Sequence, residues 1–258
     1  MAAPLLELSG VSRTFGGLVA VDDLSFRVDA GTIVAMIGPN GAGKSTVFNL
    51  ITGIYRPKGG AIAFDGRSLA GLGTARIASL GIARTFQNIR LFAFMPALEN
   101  VMTGRHARMR ANLVDSLLHT PRQRAEEKRV RERARELLRF VGLERDAGQY
   151  ARNLAYGSQR RLEIARALAS DPKLLLLDEP AAGMNPREKD DLVALIGRIR
   201  DSGVTVFLIE HDMGVVMTVS ERIAVLDHGE KIAEGYPDDV RRDERVIEAY
   251  LGRADGAA

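Results

Sequence analysis

The chain has 258 residues, of which 46 % are hydrophobic and 27 % are charged, a composition typical of a globular protein with its own buried core. It contains no cysteine, which excludes a disulfide framework, a thiolate metal site and a cysteine nucleophile. A net charge of +3 is only weak evidence for a nucleic-acid partner, since anionic lipid or a nucleotide suits it as well. An aromatic content of 5 % without tryptophan argues against a stacking platform for single strands, and we expect no nucleic-acid partner.

The N-terminal residues carry neither a basic start nor a long apolar run, so we expect no secretory signal there. The longest apolar stretches, such as Ile33–Ile37 and Val204–Ile209, are far shorter than a membrane span. If the protein works at a membrane, other chains must supply the spanning helices.

Two kinds of strand are predicted ahead of the first helix. Leu24, Phe26 and Val28 alternate with polar residues, which predicts a strand with one buried face. The uninterrupted run Thr32–Ile37 predicts a strand covered on both faces. Glycine-containing turns flank a short strand at Ala61–Phe64, and we expect that strand in an antiparallel sheet beside a parallel core.

A glycine-rich loop lies between the buried strand and a predicted helix from about Lys44 to Thr52. Its spacing matches G-x-x-x-x-G-K-[ST], in which backbone N–H groups and a helix N-terminus surround an anion. Lys44 is then able to reach the β- and γ-phosphates of a nucleotide, and the Ser45 hydroxyl to bind Mg²⁺. A glycine-rich turn without a ligand is the weaker alternative in this context. The predicted nucleotide-binding residues of the loop are Gly38, Pro39, Asn40, Gly41, Ala42, Gly43, Lys44, Ser45 and Thr46.

Strand patterns disappear from about Met95 to Gly142. Apolar residues at helical spacing predict an amphipathic helix there: Val130, Ala134, Leu137, Leu138 and Val141. Its outer face, within Arg122–Arg139, interleaves basic and acidic residues. We interpret this face as solvated, and a patch for nucleic acid or lipid is the alternative.

The apolar strand Leu174–Leu177 ends in two carboxylates, Asp178 and Glu179. A parallel strand that ends there places both at the sheet edge where the phosphate loop also lies. Asp178 would hold Mg²⁺ through its water shell, and Glu179 would accept a hydrogen bond from the attacking water. Two solvated acids at a strand end are the alternative, which the phosphate loop disfavours.

A helix at roughly Pro186–Asp201 separates this strand from a second buried strand, Val204–Ile209. Strand, helix and strand in this order predict a parallel sheet. Ile223–Leu226 and Lys231–Ala233 then flank a turn and predict a hairpin. The residues after Gly252 are small and polar, so we expect the tail, 253–258, to be frayed.

Four further elements separate this chain from kinases and small GTPases, and through them the sequence resembles the ABC-transporter ATPase family from about Leu5 to Gly252. Phe15, ahead of the loop, matches the aromatic residue that stacks on adenine. Gln87 matches the glutamine that joins the sheet core to the helical insertion and touches both Mg²⁺ and water. His211, directly after a buried strand, matches the switch histidine that contacts the γ-phosphate.

The fourth element, Asn153–Leu168, resembles the family's signature segment and the helix that follows it. In the family the N-terminus of this helix points at the γ-phosphate on the other subunit, which implies nucleotide contacts from Tyr156, Gly157 and Ser158. Ala155 stands where a serine hydroxyl usually touches that phosphate, so one neutral hydrogen bond, worth about 1 kcal/mol, is missing.

The resemblance implies a single domain, 5–252, with an α/β P-loop NTPase (RecA-like) core, an antiparallel β subdomain and a helical insertion at about 95–165. It implies ATP and Mg²⁺ as cofactors. In the dimer-contact loop, Asn185 replaces the usual aspartate, so a charged role is not expected there. The implied catalytic residues are Lys44, Gln87, Glu179 and His211, and the implied metal-binding residues are Ser45, Gln87 and Asp178.

The resemblance also implies partners: a second ABC ATPase chain, identical or related, transmembrane permease subunits and, indirectly, a substrate-binding protein. The chain would then lie peripherally on the cytoplasmic face of the inner membrane. The segments Asn153–Gly157 and Val246–Gly252 are similar to those of branched-chain amino-acid importers. A transporter of urea, another amide or a lipid, a non-transport ABC protein and a regulatory module without turnover are the alternatives.

The stretch Arg90–Met95 is unusually apolar for a loop. It belongs either to the core of the helical insertion or to a groove that accepts a short helix of a membrane subunit. The histidines outside the predicted site are expected on the surface: His106, His119 and His228.

Overall fold

The computed structural model describes residues 4–105 and 121–251. The predictions for His106, His119 and the tail 253–258 lie outside these residues. None of the described helices is both long enough and apolar enough to span a membrane.

The N-terminal part forms a four-stranded antiparallel sheet in the order β2-β1-β4-β5. The predicted antiparallel sheet is therefore confirmed, although its strands are longer than the alternation alone indicates. Leu6 pairs with Val28 on one side and with Phe64 on the other, so β1 is the centre of the sheet. These strands are β1 (Leu6–Phe15), β2 (Leu18–Val28), β4 (Gly59–Phe64) and β5 (Arg67–Ser68).

The second sheet has six strands in the order β10-β9-β3-β8-β7-β6. All neighbours are parallel except the terminal pair, because β9 and β10 form the predicted hairpin. The strands predicted from continuous apolar runs occupy its centre, where both faces are covered. The six strands are β3 (Ile33–Ile37), β6 (Ile82–Arg84), β7 (Leu174–Asp178), β8 (Thr205–Ile209), β9 (Arg222–Asp227) and β10 (Glu230–Gly235).

Nine α-helices lie within the described residues. The helix after the phosphate loop ends at Ile51, one residue before the predicted end, and Pro186–Asp201 matches its prediction. The helices are α1 (Lys44–Ile51), α2 (Thr74–Leu80), α3 (Ala97–Gly104), α4 (Pro121–Phe140), α5 (Tyr156–Leu168), α6 (Pro186–Asp201), α7 (Met213–Val219), α8 (Pro237–Arg242) and α9 (Glu244–Leu251).

Two hydrophobic cores lie on opposite faces of the six-stranded sheet. Side chains alternate along each strand, so neighbours such as Val34 and Ala35 enter different cores. One core joins the sheet to the antiparallel sheet and to α1 and α2. The other joins it to the remaining helices, among which α3 packs against α4 and α5. The predicted α/β architecture with an antiparallel β part and a helical part is confirmed.

Helix α4 confirms the predicted amphipathic pattern, since the five predicted apolar positions are at most 5 % exposed. Its outer face carries intrahelical ion pairs, such as Glu127 with Arg131 and Lys128 with Glu132. Exposed pairs of this kind contribute little to stability. They support the interpretation of a solvated face.

Candidate functional site

The phosphate loop lies between β3 and α1, as the sequence predicts. Lys44, the first residue of α1, is 8 % exposed, and its Nζ donates hydrogen bonds to the carbonyl oxygens of Gly38 (2.7 Å) and Pro39 (2.8 Å). The ammonium group therefore lies inside the turn of the loop. Asn40, Gly41 and Ser45 of the same loop and helix are exposed, so the loop is open to solvent on one side.

The antiparallel sheet lies directly against this loop. Gly43 has a φ of 101°, and a Cβ added there would lie 2.2 Å from the carbonyl oxygen of Ala20 on β2. Only glycine combines that conformation with such a close approach. The turn that joins β1 to β2, with Phe15 paired to Leu18, begins a few residues from this contact.

Phe15 is half-buried and belongs to a small aromatic cluster. Its ring meets Tyr55 edge to face with a centroid separation of 4.9 Å. The guanidinium carbon of Arg13 lies 4.7 Å from the Phe15 centroid and 5.5 Å from the Tyr55 centroid. Arg13 and Tyr55 were not predicted, because neither lies in a recognisable motif.

The two predicted carboxylates lie at the C-terminal end of β7. Asp178 is the last residue of the strand and is 4 % exposed. Glu179 turns the chain sharply, with a φ of 47°, while its backbone N–H donates to the carbonyl oxygen of Ile209 at 2.9 Å. Positive φ is unusual for a residue with a side chain and is common at functional sites.

The structure brings two other predicted catalytic side chains, Gln87 and His211, next to Glu179. Gln87 donates from Nε2 to Oε2 of Glu179 at 2.8 Å, although the two residues are far apart in sequence. Nδ1 of His211 lies 3.8 Å from the same carboxylate oxygen, and its side chain is 59 % exposed. The Glu179 carboxylate thus lies between an amide donor and an imidazole.

The electrostatic surroundings of Lys44 link this group to the phosphate loop. Burial lowers the pKa of Lys44, and the nearby carboxylates of Glu179 and Asp178 offset part of that effect. Both carboxylates are therefore close enough to act on the ammonium group. Lys44, Asp178, Glu179, Gln87 and His211 form one cluster at the edge of the six-stranded sheet.

A magnesium ion fits the oxygen donors of this cluster. Ser45 supplies an exposed hydroxyl and Asp178 a carboxylate, and Mg²⁺ prefers hard oxygen ligands. The described residues contain no group of three or more His, Cys, Asp or Glu side chains that would hold an ion alone. A magnesium ion held here by Ser45 and Asp178 would therefore take further oxygen ligands from water and phosphate.

Glu210 organises the turn that carries His211, a role that was not predicted. Its side chain is fully buried, and Oε2 accepts the backbone N–H groups of His211 (2.9 Å) and Asp212 (3.2 Å). Its other oxygen, Oε1, accepts the N–H of Ala181 at 2.7 Å. One carboxylate therefore ties the histidine turn to the loop after Glu179.

The predicted signature residues lie at the N-terminus of α5, beside the N-terminus of α6. Helix α5 begins at Tyr156, and its N-cap, Ala155, makes no side-chain capping bond. A Cβ added to Gly157 would lie 2.6 Å from Oε1 of Glu188, so a larger residue would displace the Glu188 side chain at the start of α6. Among the described residues, this contact joins the signature segment to the first turn of α6.

Asn185 has a local structural role that does not depend on charge. Its side chain accepts the N–H of Glu188 at 3.0 Å, and the Glu188 carboxylate accepts the N–H of Asn185 at 3.0 Å. This reciprocal pair is a capping box at the start of α6. Asparagine caps a helix as well as aspartate does, which is consistent with the expectation of no charged role.

Helix α5 also holds the segment that carries Gln87. Arg160, 3 % exposed, donates to the carbonyl oxygens of Phe86 (2.7 Å) and Gln87, and Arg166 donates to that of Arg90. The backbone N–H of Arg90 donates to Glu163 at 3.3 Å. Burial raises the pKa of Glu163, and the hydrogen bond from Arg90 together with the charges of Arg160 and Arg166 offsets part of this rise. These contacts were not predicted, although charged residues three positions apart on an otherwise apolar helix face were a usable signal.

The apolar loop lines a cavity between the sheet and the helical part. The cavity has a volume of about 440 Å³, and Phe86, Phe92 and Thr103 are among its lining residues. Phe92 is 53 % exposed and Phe94 is 76 % exposed, so the interpretation of these two rings as core is wrong. The reason is that the loop turns outward before α3 begins.

A buried amide fixes this loop. Asn100, fully buried in α3, accepts the N–H of Phe92 at 2.9 Å. It donates in return to the carbonyl oxygens of Phe92, Met95 and Pro96 at 3.0–3.2 Å. Asn100 was not predicted, since a single polar residue in a short helix gives no local sign of its partners.

Models of known protein families match two stretches of the chain. A family model described as ABC transporter matches residues 21–182, and one described as branched-chain amino acid ATP-binding cassette transporter matches residues 230–256. The high-affinity branched-chain amino acid transport ATP-binding protein BraF of Pseudomonas aeruginosa is 49 % identical over 98 % of this chain and 100 % of its own. LivG of Escherichia coli, which carries the same description, is 46 % identical over the same shares.

Solved structures share the fold over nearly the whole chain. MJ1267, an ATP-binding cassette of an ABC transporter in its ADP conformation, matches with a TM-score of 0.85 and 31 % identity over 97 % of this chain and 100 % of its own. The dimeric bacterial ABC transporter cassette MJ0796 matches with a TM-score of 0.77 and 28 % identity over 90 % and 98 %. The predicted fold class and the predicted resemblance are confirmed, and the chain belongs to the ABC transporter family as one of its ATP-binding proteins.

Proposed function

We propose that this chain hydrolyses ATP and thereby drives the import of branched-chain amino acids through membrane subunits. One observation carries the catalytic part of the proposal: Gln87, Glu179 and His211 converge beside the phosphate loop, within reach of Lys44. The proposed substrate class rests on the names of the relatives, which are branched-chain amino acid transport proteins.

Binding of the nucleotide is assigned to the phosphate loop. Backbone N–H groups and the N-terminus of α1 would surround the phosphates, with Lys44 supplying a positive charge inside the turn. Phe15 would present an aromatic face to adenine from the adjoining sheet. When bound, Mg²⁺ supplies charge neutralisation, and Ser45 and Asp178 would hold it with water and phosphate oxygens.

Hydrolysis is assigned to the carboxylate of Glu179. Its Oε2 accepts from Gln87, which orients the carboxylate toward a water molecule without adding a charge. His211 lies on an exposed turn fixed by Glu210, where it is able to contact the γ-phosphate. We assign to Gln87 a contact with Mg²⁺ as well, since its amide oxygen is a suitable ligand.

We propose further that a second ATPase chain, identical or related, completes each site. The described contacts of the signature residues Tyr156, Gly157 and Ser158 are with Arg160 and Arg161 of α5 and with Glu188 of α6, and they do not include Glu179 or Lys44. The N-terminus of α5 is then available to the γ-phosphate bound by the other chain. The dimeric arrangement of the related cassette MJ0796 supports this pairing.

The cavity beside Phe92 is the proposed contact with a permease subunit on the cytoplasmic face of the inner membrane. It combines the exposed ring of Phe92 with Phe86, the neighbour of Gln87 in the sequence, so a helix inserted there would act on the catalytic cluster. A substrate-binding protein would act on the permeases and reach this chain only indirectly.

Replacing Phe92 with Asp is expected to uncouple transport from hydrolysis. A charge in the cavity would disfavour an apolar helix there, while the 53 % exposed position lets the carboxylate remain solvated in the free chain. In vesicles that contain the permeases, the variant should lose at least about 90 % of ATP-driven leucine uptake. ATP hydrolysis by the purified chain should stay within about twofold of wild type.

Phe64→Asp is not a suitable control because that ring is fully buried, whereas Tyr236→Asp places the same charge at an exposed aromatic residue that does not line the cavity. Normal uptake by Phe92→Asp would contradict the proposed groove. Uptake of urea, another amide or a lipid in place of leucine by the wild-type complex would overturn the proposed substrate class.

A further inference from the structure

Arg84 is an arginine at the end of a strand inside the molecule. It is the last residue of β6, and its side chain is only 8 % exposed. Burial of a guanidinium is unfavourable unless its N–H groups find acceptors of good geometry. The reason for an arginine here must therefore lie in the residues that surround it.

The two ends of the Arg84 guanidinium bind different elements. Nη2 donates to Oδ2 of Asp178 at 2.8 Å, an ion pair in which both side chains are nearly inaccessible to solvent. Nη1 donates to Oδ1 of Asn49 at 2.7 Å and lies 3.4 Å from the hydroxyl of Thr52. Asn49 and Thr52 belong to α1 or its C-terminal cap, whereas Asp178 ends β7.

Two aromatic rings restrict the orientation of this planar guanidinium. Its carbon lies 5.4 Å from the centroid of Phe48 and 5.1 Å from that of Phe86. A planar cation packed against rings and hydrogen-bonded at both ends has little freedom to rotate. Arg84 is therefore a fixed bridge and not a mobile counter-ion.

The bridge joins the two elements that carry the proposed magnesium ligands. Ser45 lies one helical turn before Asn49, so both project from the same side of α1. Asp178 is held at its backbone as well, since its N–H donates to the hydroxyl of Thr85 at 3.3 Å. Arg84 thus constrains where the Asp178 carboxylate stands relative to Ser45.

Resting on the proposed function, we propose that Arg84 is a positioning residue for magnesium binding: it fixes the carboxylate of Asp178 relative to the hydroxyl of Ser45. Groups that orient metal ligands commonly alter metal affinity about 10- to 100-fold when they are removed. Lysine is not an equivalent replacement, because a single ammonium does not span Asn49 and Asp178 as the two Nη groups of the guanidinium do.

Fluorescent ATP-analogue binding, measured in EDTA and across a Mg²⁺ titration, tests this role without relying on turnover. In Arg84→Met, affinity in EDTA should stay within about twofold of wild type, whereas the Mg²⁺ concentration needed for half-maximal enhancement should rise about 10- to 100-fold. Arg84→Lys should show a rise of at least about threefold, because the charge remains without the bridge. Arg76→Met, an exposed arginine on α2, should behave as wild type.

An unchanged Mg²⁺ requirement in Arg84→Met, or an equal loss of affinity with and without Mg²⁺, would show that the arginine only supports the fold. If Arg84→Met does not fold, Asn49→Ala and Arg84→Lys test the positioning role of Arg84 in its place. Asn49→Ala removes one anchor of the bridge and should raise the Mg²⁺ requirement at least about threefold; no rise in either variant overturns the inference. If wild-type binding itself does not respond to Mg²⁺, the proposed function fails and not this inference alone.

Discussion

Glu179→Gln is expected to lower the rate of ATP hydrolysis at least about 100-fold, while ATP affinity stays within a few fold of wild type. The amide has nearly the shape of the carboxylate, so the turn at φ 47° and the packing around it remain. It is, however, uncharged and a far weaker base, so it no longer draws a proton from the attacking water. The hydrogen bond from Gln87 keeps an acceptor only if the new amide oxygen faces it.

Phosphate release measures the turnover of this variant, and equilibrium dialysis with labelled ATP measures its binding. Glu230→Gln makes the same chemical change on an exposed residue of β10 and should leave both quantities unchanged. If the Glu179 variant hydrolyses ATP within tenfold of the wild-type rate, another group activates the water and our assignment is wrong.

Lys44→Met is expected to weaken ATP binding about 10- to 150-fold. A hydrogen bond to a charged group contributes about 1.5–3 kcal/mol, and the variant loses the only charge that we place inside the phosphate loop. Methionine keeps most of the apolar stem, so the packing of the 8 % exposed side chain should survive. The carbonyl oxygens of Gly38 and Pro39 lose their donor, so we also expect a small loss of stability.

Calorimetric titration with Mg-ATP gives the affinity directly, and urea unfolding establishes that the variant is folded. Lys128→Met provides a matched control, because that lysine is 79 % exposed on α4. A folded Lys44→Met chain with wild-type affinity would remove Lys44 from the binding site.

The central strands could be predicted because burial on both faces leaves a signal in the sequence itself. Ile33–Ile37 and Leu174–Leu177 are fully buried, and each is a continuous apolar run followed by residues of the candidate site. The order of strand, helix and strand then fixes a parallel sheet. Helix α4 could be predicted equally well from the sequence, since Val130 and Leu137 lie on one face at helical spacing.

The residues that hold the side chains of the candidate site in place could not be predicted in the same way. Asn100, Glu210 and Arg84 are polar residues whose partners are set by tertiary packing, and no local period identifies those partners. The hydrogen bond from Arg160 to the backbone of Phe86 joins residues 74 positions apart in the sequence. Motifs therefore indicate the groups that we propose to react, whereas the residues that hold them emerge only from the fold.

The departures from the family pattern have local explanations. Ala155 leaves the N-terminus of α5 without a side-chain cap, yet Gly157 still allows α6 to approach closely. Asn185 caps α6 through its amide oxygen, so the absence of the usual carboxylate leaves that helix intact. The missing serine hydroxyl at Ala155 would affect only the nucleotide that the partner chain binds.

The central claim is that each hydrolytic site is shared between two chains. Sedimentation of the Glu179→Gln chain, with and without Mg-ATP, tests it most directly. The proposal predicts the mass of one chain without nucleotide, the mass of two chains with Mg-ATP, and a wild-type specific activity that rises with protein concentration as pairs form. Full ATP turnover by a chain that keeps the mass of one copy at every concentration would contradict the shared site.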